Sequence, residues 1–147
     1  MILQQCSDSE KISKLLNFSD QHQHNNITLS LDFAKKAFDL AASMKDTALM
    51  GRANLKTAEL YLLKGLYDKS LAFVLNACRQ FEKTGQEDDI AYCCEILGKI
   101  YSAIDEPGRA VEYYNKAVDF YKKLDLVADV ARNYASIGEV FVSTDSI

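Results

Sequence analysis

Proline is nearly absent from this chain. Pro107 is the only one, and six glycines are spread over 147 residues. That scarcity leaves room for long uninterrupted helices. Histidine is as scarce: His22 and His24 stand together in one polar stretch with no third metal ligand nearby. This speaks against a bound metal and against a Ser-His-Asp or Cys-His catalytic arrangement. A glycine-rich phosphate loop, a nucleophile elbow and an H-E-x-x-H pair are all missing. The expectation is a non-enzymatic protein with no cofactor. The four cysteines, Cys6, Cys78, Cys93 and Cys94, form no C-x-x-C pair. They read as core thiols, although a helical hairpin about Gln86 could bring Cys78 and Cys94 close. No segment is strongly basic and the formal charge is −4, which disfavours nucleic acid as a partner. No apolar run is long enough to span a bilayer, and Met1-Ile2-Leu3 is too short for a signal-peptide core. The expected location is cytoplasmic, or periplasmic if a leader has been removed.

What is present is the balance of a soluble globular protein, with 48% apolar and 26% charged residues. Ser7 or Asp8 can cap a first helix whose apolar residues are Ile12, Leu15, Leu16 and Phe18. Residues 1–7 read as a lead-in, and Ser19 to Thr28 as a loop or frayed helix end. A second helix runs from about Leu29 to Lys45, with apolar residues at three- and four-residue steps. A third runs from about Asp46 to Lys64, and Gly65 can take the left-handed conformation that ends it. The fourth spans Tyr67 to about Lys83. The acidic run Glu87-Asp88-Asp89 suits the positive end of the fifth helix, which ends near Ile104. Pro107 opens the sixth, which closes on Lys122-Lys123. Glu112 with Lys116 and Asp119 with Lys123 are spaced as i,i+4 pairs. The seventh runs from about Val127 to Ser143.

Positions 40 residues apart agree in size and polarity. Tyr61, Tyr101 and Phe141 are aromatic, as are Phe33, Phe73 and Tyr113. Ala58, Gly98 and Gly138 are small, and Ala37, Ala77 and Ala117 are identical. Two helices per period with tight turns describe an α-solenoid of helix hairpins, because one hairpin cannot bury its apolar face alone. The stretch Leu97-Gly98-x-x-Tyr101, followed by Ala110-x-x-x-Tyr114 and Ala117, resembles the tetratricopeptide repeat signature. Gly98 to Ala110 is 12 residues and Ala110 to Ala117 is 7, as that pattern requires. The extra residues of the long period fall behind Ala77 and Ala117. The resemblance implies an all-α right-handed superhelix of about seven helices and a single domain over 1–147. Its repeats are 8–45, 46–85 and 86–125, with a half repeat at 126–143. The first repeat departs from the pattern, with Asn17-Phe18 where Leu-Gly would stand.

The same resemblance implies a protein- or peptide-binding scaffold, the interaction or sensor part of a larger regulatory protein such as a bacterial regulator. In that family the first helix of each repeat lines a concave groove. Carried over by position, the groove residues are Arg52, Leu55, Glu59, Leu62 and Leu63, then Tyr92, Glu95, Lys99, Ser102 and Ala103. From the last helix come Arg132, Ala135, Glu139, Val142 and Ser143. The Lys, Asn and Arg of a chaperone-tail carboxylate clamp are missing from these columns. The Asn column that holds a peptide backbone in long-repeat adaptors reads Lys56, Ile96 and Ser136. A plainer reading makes Glu95 and Lys99 an i,i+4 pair on a solvated helix. The last helix is apolar on more than one side. Val130, Tyr134, Ile137 and Phe141 share one face that can pack on the third repeat, with Ala131, Ala135 and Val142 further round. Either the array continues beyond the given chain, or Tyr134, Phe141 and Val142 pack against a second copy as a homo-oligomer.

Overall fold

The structure is a computed structural model that describes residues 7–145; Cys6 and the other five residues before Ser7 lie outside the described residues. Those residues form seven α-helices and no strand: α1 Asp8–His22, α2 Ile27–Ser43, α3 Thr47–Leu63, α4 Tyr67–Thr84, α5 Glu87–Ala103, α6 Pro107–Lys123 and α7 Val127–Asp145. The fold is an all-α helical repeat. None of the described helices is long and apolar enough to cross a membrane. The chain packs as two compact units, one ending at Thr84 and one beginning at Gly85.

The turns set the repeat. Left-handed residues stand at Lys45, Gly65, Gly85, Asp105 and Asp125, one every 20 positions. After α2, the Lys45 amide donates to Ala42 and the Asp46 amide to Ala41, each at 3.0 Å. The same pair of bonds closes α3 through Gly65 and Leu66, α5 through Asp105 and Glu106, and α6 through Asp125 and Leu126. This is the Schellman arrangement, in which a left-handed residue lets two amides satisfy the last carbonyls. At the other ends, Ser7 forms a capping box with Glu10, while Asn26 and Asp46 accept from Leu29 and Leu49.

In the first unit α1 packs on α2, α2 on α3 and α3 on α4. The helix α1 continues to His22, beyond the point where the sequence suggested a loop. Its polar end is held from within, since the buried Ser19 hydroxyl donates to the Ser30 carbonyl at 2.9 Å and the Ser30 hydroxyl donates back to the Ser19 carbonyl. In the next hairpin the Ser70 hydroxyl donates to the Ala58 carbonyl at 2.7 Å. Ser19 is therefore the counterpart of Ala58, at a spacing of 39 rather than 40. The first hairpin has 11 residues between these partners and the second has 12. The small residue missing from the Asn17-Phe18 position stands one place later. His22 likewise takes the place of Tyr61: it lies 5.7 Å from Phe33, as Tyr61 lies 5.5 Å from Phe73 and Tyr101 5.4 Å from Tyr113.

The buried columns exchange volume between repeats. Ile12 shares a core cluster with Ala41. Its counterpart Gly51 lies under the ring of Phe81, and Ala91 shares a cluster with Tyr121. A large residue on one helix is matched by a small one on its neighbour, which keeps the interior filled.

In the second unit α5 packs on α6 and α6 on α7. Glu112 and Lys116 form the expected pair at 3.4 Å, but Lys123 reaches Glu87 at 2.7 Å instead of Asp119. The buried side of α7 centres on Asn133 and Val140. Tyr134 and Phe141, expected to pack on the preceding repeat, are 47% and 55% exposed. Asn133 draws the buried stripe round the helix, because its amide donates to Glu95 and to the Asp129 carbonyl. Cys78, Cys93 and Cys94 are thiols, the last two buried.

Candidate functional site

The residues assigned to the groove fall into three groups. In the second unit, Glu95 and Arg132 meet. Arg132 donates through Nε and Nη2 to the Glu95 carboxylate at 3.1 and 2.8 Å, a two-point contact. Asn133 donates to the same carboxylate at 2.9 Å and the Tyr121 hydroxyl approaches at 3.4 Å. Lys99 stands 3.7 Å away and Asp129 holds the far side of Arg132 at 2.6 Å. Glu95 is 2% exposed. The i,i+4 pair with Lys99 exists, but the main partner of Glu95 is on α7. This network pushes Arg132 further up from the ordinary arginine range, chiefly through its hydrogen bond to Glu95. Burial, then the charge of Glu95, raises Tyr114 to about 12, and the same two causes raise Tyr121.

In the first unit, Lys56 donates to Asp20, to Gln23 at 2.8 Å and to Glu59 at 3.5 Å. Its side chain is 9% exposed, so it ties the end of α1 to α3. Leu55 is buried, Leu62 and Tyr92 are half-buried, and Arg52, Leu63, Ser102, Ala103, Ala135, Glu139 and Ser143 are exposed. The charged residues carried over from the family pattern are thus partly engaged within the molecule. Val142, 71% exposed, continues the apolar surface of Tyr134 and Phe141.

A third feature was not read from the sequence. Helices α2, α3 and α4 enclose a cleft of about 780 Å³ in the first unit. Leu31, Asp32, Lys35, Phe38 and Asp39 of α2 form one wall. Phe73, Asn76 and Gln80 of α4 form the other, over a floor of Asn54, Thr57 and Tyr61. Asn54, 6% exposed, donates to the Gln80 Oε1 at 2.9 Å. Tyr61 and Phe73 stack at one end. Asp32, Lys35, Asp39 and Asn76 are exposed, and no described residue forms a hydrogen bond or ion pair with them. The sequence did contain a signal, two aspartates seven apart on the outer side of α2. Phe73 and Tyr61 were visible too, but as aromatic columns of the repeat. The cleft offers carboxylates, a lysine, amides and aromatic faces.

No protein-family model matches the chain, and no curated protein matches it either. Among solved structures, the crystal structure of BtubC (BKLC) from P. vanneervenii is similar, with a TM-score of 0.64 at 20% identity over 96% of this chain and 68% of that one. At that identity the likeness concerns the fold alone, and it agrees with the all-α helical arrangement found here.

Proposed function

We propose that this chain is a non-enzymatic scaffold of the tetratricopeptide-repeat type that holds a segment of another protein, as the interaction part of a larger regulatory protein. The observation that carries this reading is the α2–α3–α4 cleft, with an aromatic step at one end and polar groups that the fold itself does not engage. The 40-residue recurrence of left-handed turns and stacked aromatic pairs supports the family reading. A random peptide-display selection tests it. Peptides should be enriched that bind the chain and lose binding to Asn76→Trp, which fills the cleft from an exposed position. Lys116→Ala, on the second unit, should leave them unaffected. If nothing is enriched, or if every enriched peptide binds Asn76→Trp equally well, the scaffold reading of the cleft fails.

The exposed side of α7 favours a second reading, self-association. Val127, Tyr134, Phe141 and Val142 are 74%, 47%, 55% and 71% exposed, more apolar surface than a solvated helix normally presents. Sedimentation velocity should show concentration-dependent association that Val142→Glu abolishes. A strictly monomeric profile at high concentration would remove this reading.

A further inference from the structure

We infer that the segment held in the α2–α3–α4 cleft is extended and carries two basic residues three positions apart, which rests on the scaffold reading above and specifies its partner. The wall of α2 sets the charge. Asp32 and Asp39 are seven residues apart, about 10 Å along the helix axis at 1.5 Å per residue. Lys35 stands between them at the three- and four-residue spacings that permit ion pairs, yet it pairs with neither. Both carboxylates therefore line the cleft rim outside any ion pair. A polyproline-type extended chain repeats the same side every three residues, about 9 Å apart. Two arginine or lysine side chains at that spacing reach the two aspartates, and Lys35 disfavours a third charge between them.

The opposite wall sets the backbone contact. Asn54 is 94% buried, and only its Nδ2 is engaged, by Gln80. The Asn54 Oδ1 accepts no hydrogen bond from the described residues, and the Gln80 Nε2 donates none. With the exposed Asn76 they present acceptors and donors along one side of the cleft. An extended main chain offers the complementary N–H and C=O groups without secondary structure of its own. The stacked Tyr61 and Phe73 close one end with an aromatic surface that suits an apolar group, since Lys69 already stands 5.4 Å over the Tyr61 ring.

The test uses three octapeptide mixtures in fluorescence polarisation with the full chain, fixed as Arg-x-x-Arg, Glu-x-x-Glu or Ala-x-x-Ala and randomised elsewhere. The arginine mixture should bind best and weaken as salt is raised. Asp32→Asn with Asp39→Asn should weaken it by about five- to tenfold, a range suited to two partly exposed ion pairs, and Asn76→Trp should abolish it. Far-UV circular dichroism of each variant confirms that these exposed substitutions leave the fold intact. If the arginine mixture binds the double aspartate variant as well as the native chain, the attraction is only to the net negative charge and the inference fails. If the glutamate or alanine mixture binds better and Asn76→Trp removes it, the basic-segment inference fails while the scaffold reading stands. If no mixture binds in a way that Asn76→Trp alters, both fail. Concentration-dependent self-association that Asn76→Trp abolishes would make the occupant a second copy and overturn the inference.

Discussion

Gly98 and Gly138 occupy the same column of the repeat, and alanine at each should change stability in opposite directions. A Cβ built at Gly98 would lie 2.7 Å from Cδ1 and Cε1 of Tyr114 and 2.9 Å from its Cζ. Favourable carbon contacts lie at about 3.5–4.0 Å, so the ring must move by roughly an ångström. Tyr114 is 4% exposed and has little room to do so. Overpacking of this kind costs about 1–3 kcal/mol. Alanine in place of glycine inside a helix returns about 1 kcal/mol. Gly98→Ala should therefore destabilise by about 0–2 kcal/mol. At Gly138 no atom lies within 4 Å of the added Cβ, so only the helix term remains and the variant should be more stable by about 1 kcal/mol. The helix term cancels between the two, and their difference of about 1–3 kcal/mol measures the packing of Tyr114. Urea unfolding followed by far-UV circular dichroism reads it, with midpoints on the order of 1 M apart for an ordinary urea slope.

The second repeat provides the control. Opposite Ala58, the position equivalent to Tyr114 is Val74, which is fully buried. A smaller partner leaves space for the methyl group. In a Tyr114→Val background, Gly98→Ala should change from destabilising to stabilising by about 1 kcal/mol. Equal midpoints for Gly98→Ala and Gly138→Ala in the native background would refute the placement of the Tyr114 ring over Gly98.

Three further outcomes follow from the same structure. A double-mutant cycle of Glu95→Gln and Arg132→Met, read by urea unfolding, should give a coupling of about 1–2 kcal/mol, limited by the half-exposed Arg132; a coupling near zero would make the two-point contact incidental. Tyr114 is raised to about 12 by burial, so its contribution is complete below its ordinary value of 10.0 and is lost as pH rises through 12. Urea midpoints should fall across that alkaline range, and Tyr114→Phe should flatten the fall, with tyrosinate absorbance reporting the titration. Lys45 holds a left-handed φ of 56° without the freedom of glycine; Lys45→Gly should raise stability by up to about 1 kcal/mol in thermal or urea unfolding, and a loss would show that its side chain contributes more than its strain costs.

Much of the helix map was legible because its signals are local. Gly65, the Asp105-Glu106-Pro107 turn and the three- and four-residue apolar steps each mark a boundary without reference to the rest of the chain. Lys45 gave no such signal, since a left-handed lysine is held by the two Schellman bonds around it rather than announced by its type. The slip in α1 was hidden for another reason. A fixed frame of 40 places Phe18 under Ala58, and only the reciprocal Ser19–Ser30 bonds show that the frame shifts by one. His22 then becomes an aromatic column member and ceases to look like half of a metal pair.

The site was less legible because column logic assigns a residue to a face but does not say what fills that face. Glu95 and Arg132 were placed on the ligand side of their helices, and the geometry agrees that they converge. They converge on each other, with Asn133 and Asp129 completing the set. Lys56 does the same with Asp20, Gln23 and Glu59. A long charged side chain on one helix can reach the next repeat, so a polar column is evidence for a ligand only after its internal partners are subtracted. When that subtraction is made, the groups left over in the first unit include Asp32, Asp39 and Asn76, with the far ends of Asn54 and Gln80. They belong to three helices, and no single helical period contains them. Their convergence arises from packing, and it moves the search for a ligand in that unit from the outward residues of α3 to the cleft that α3 shares with α2 and α4.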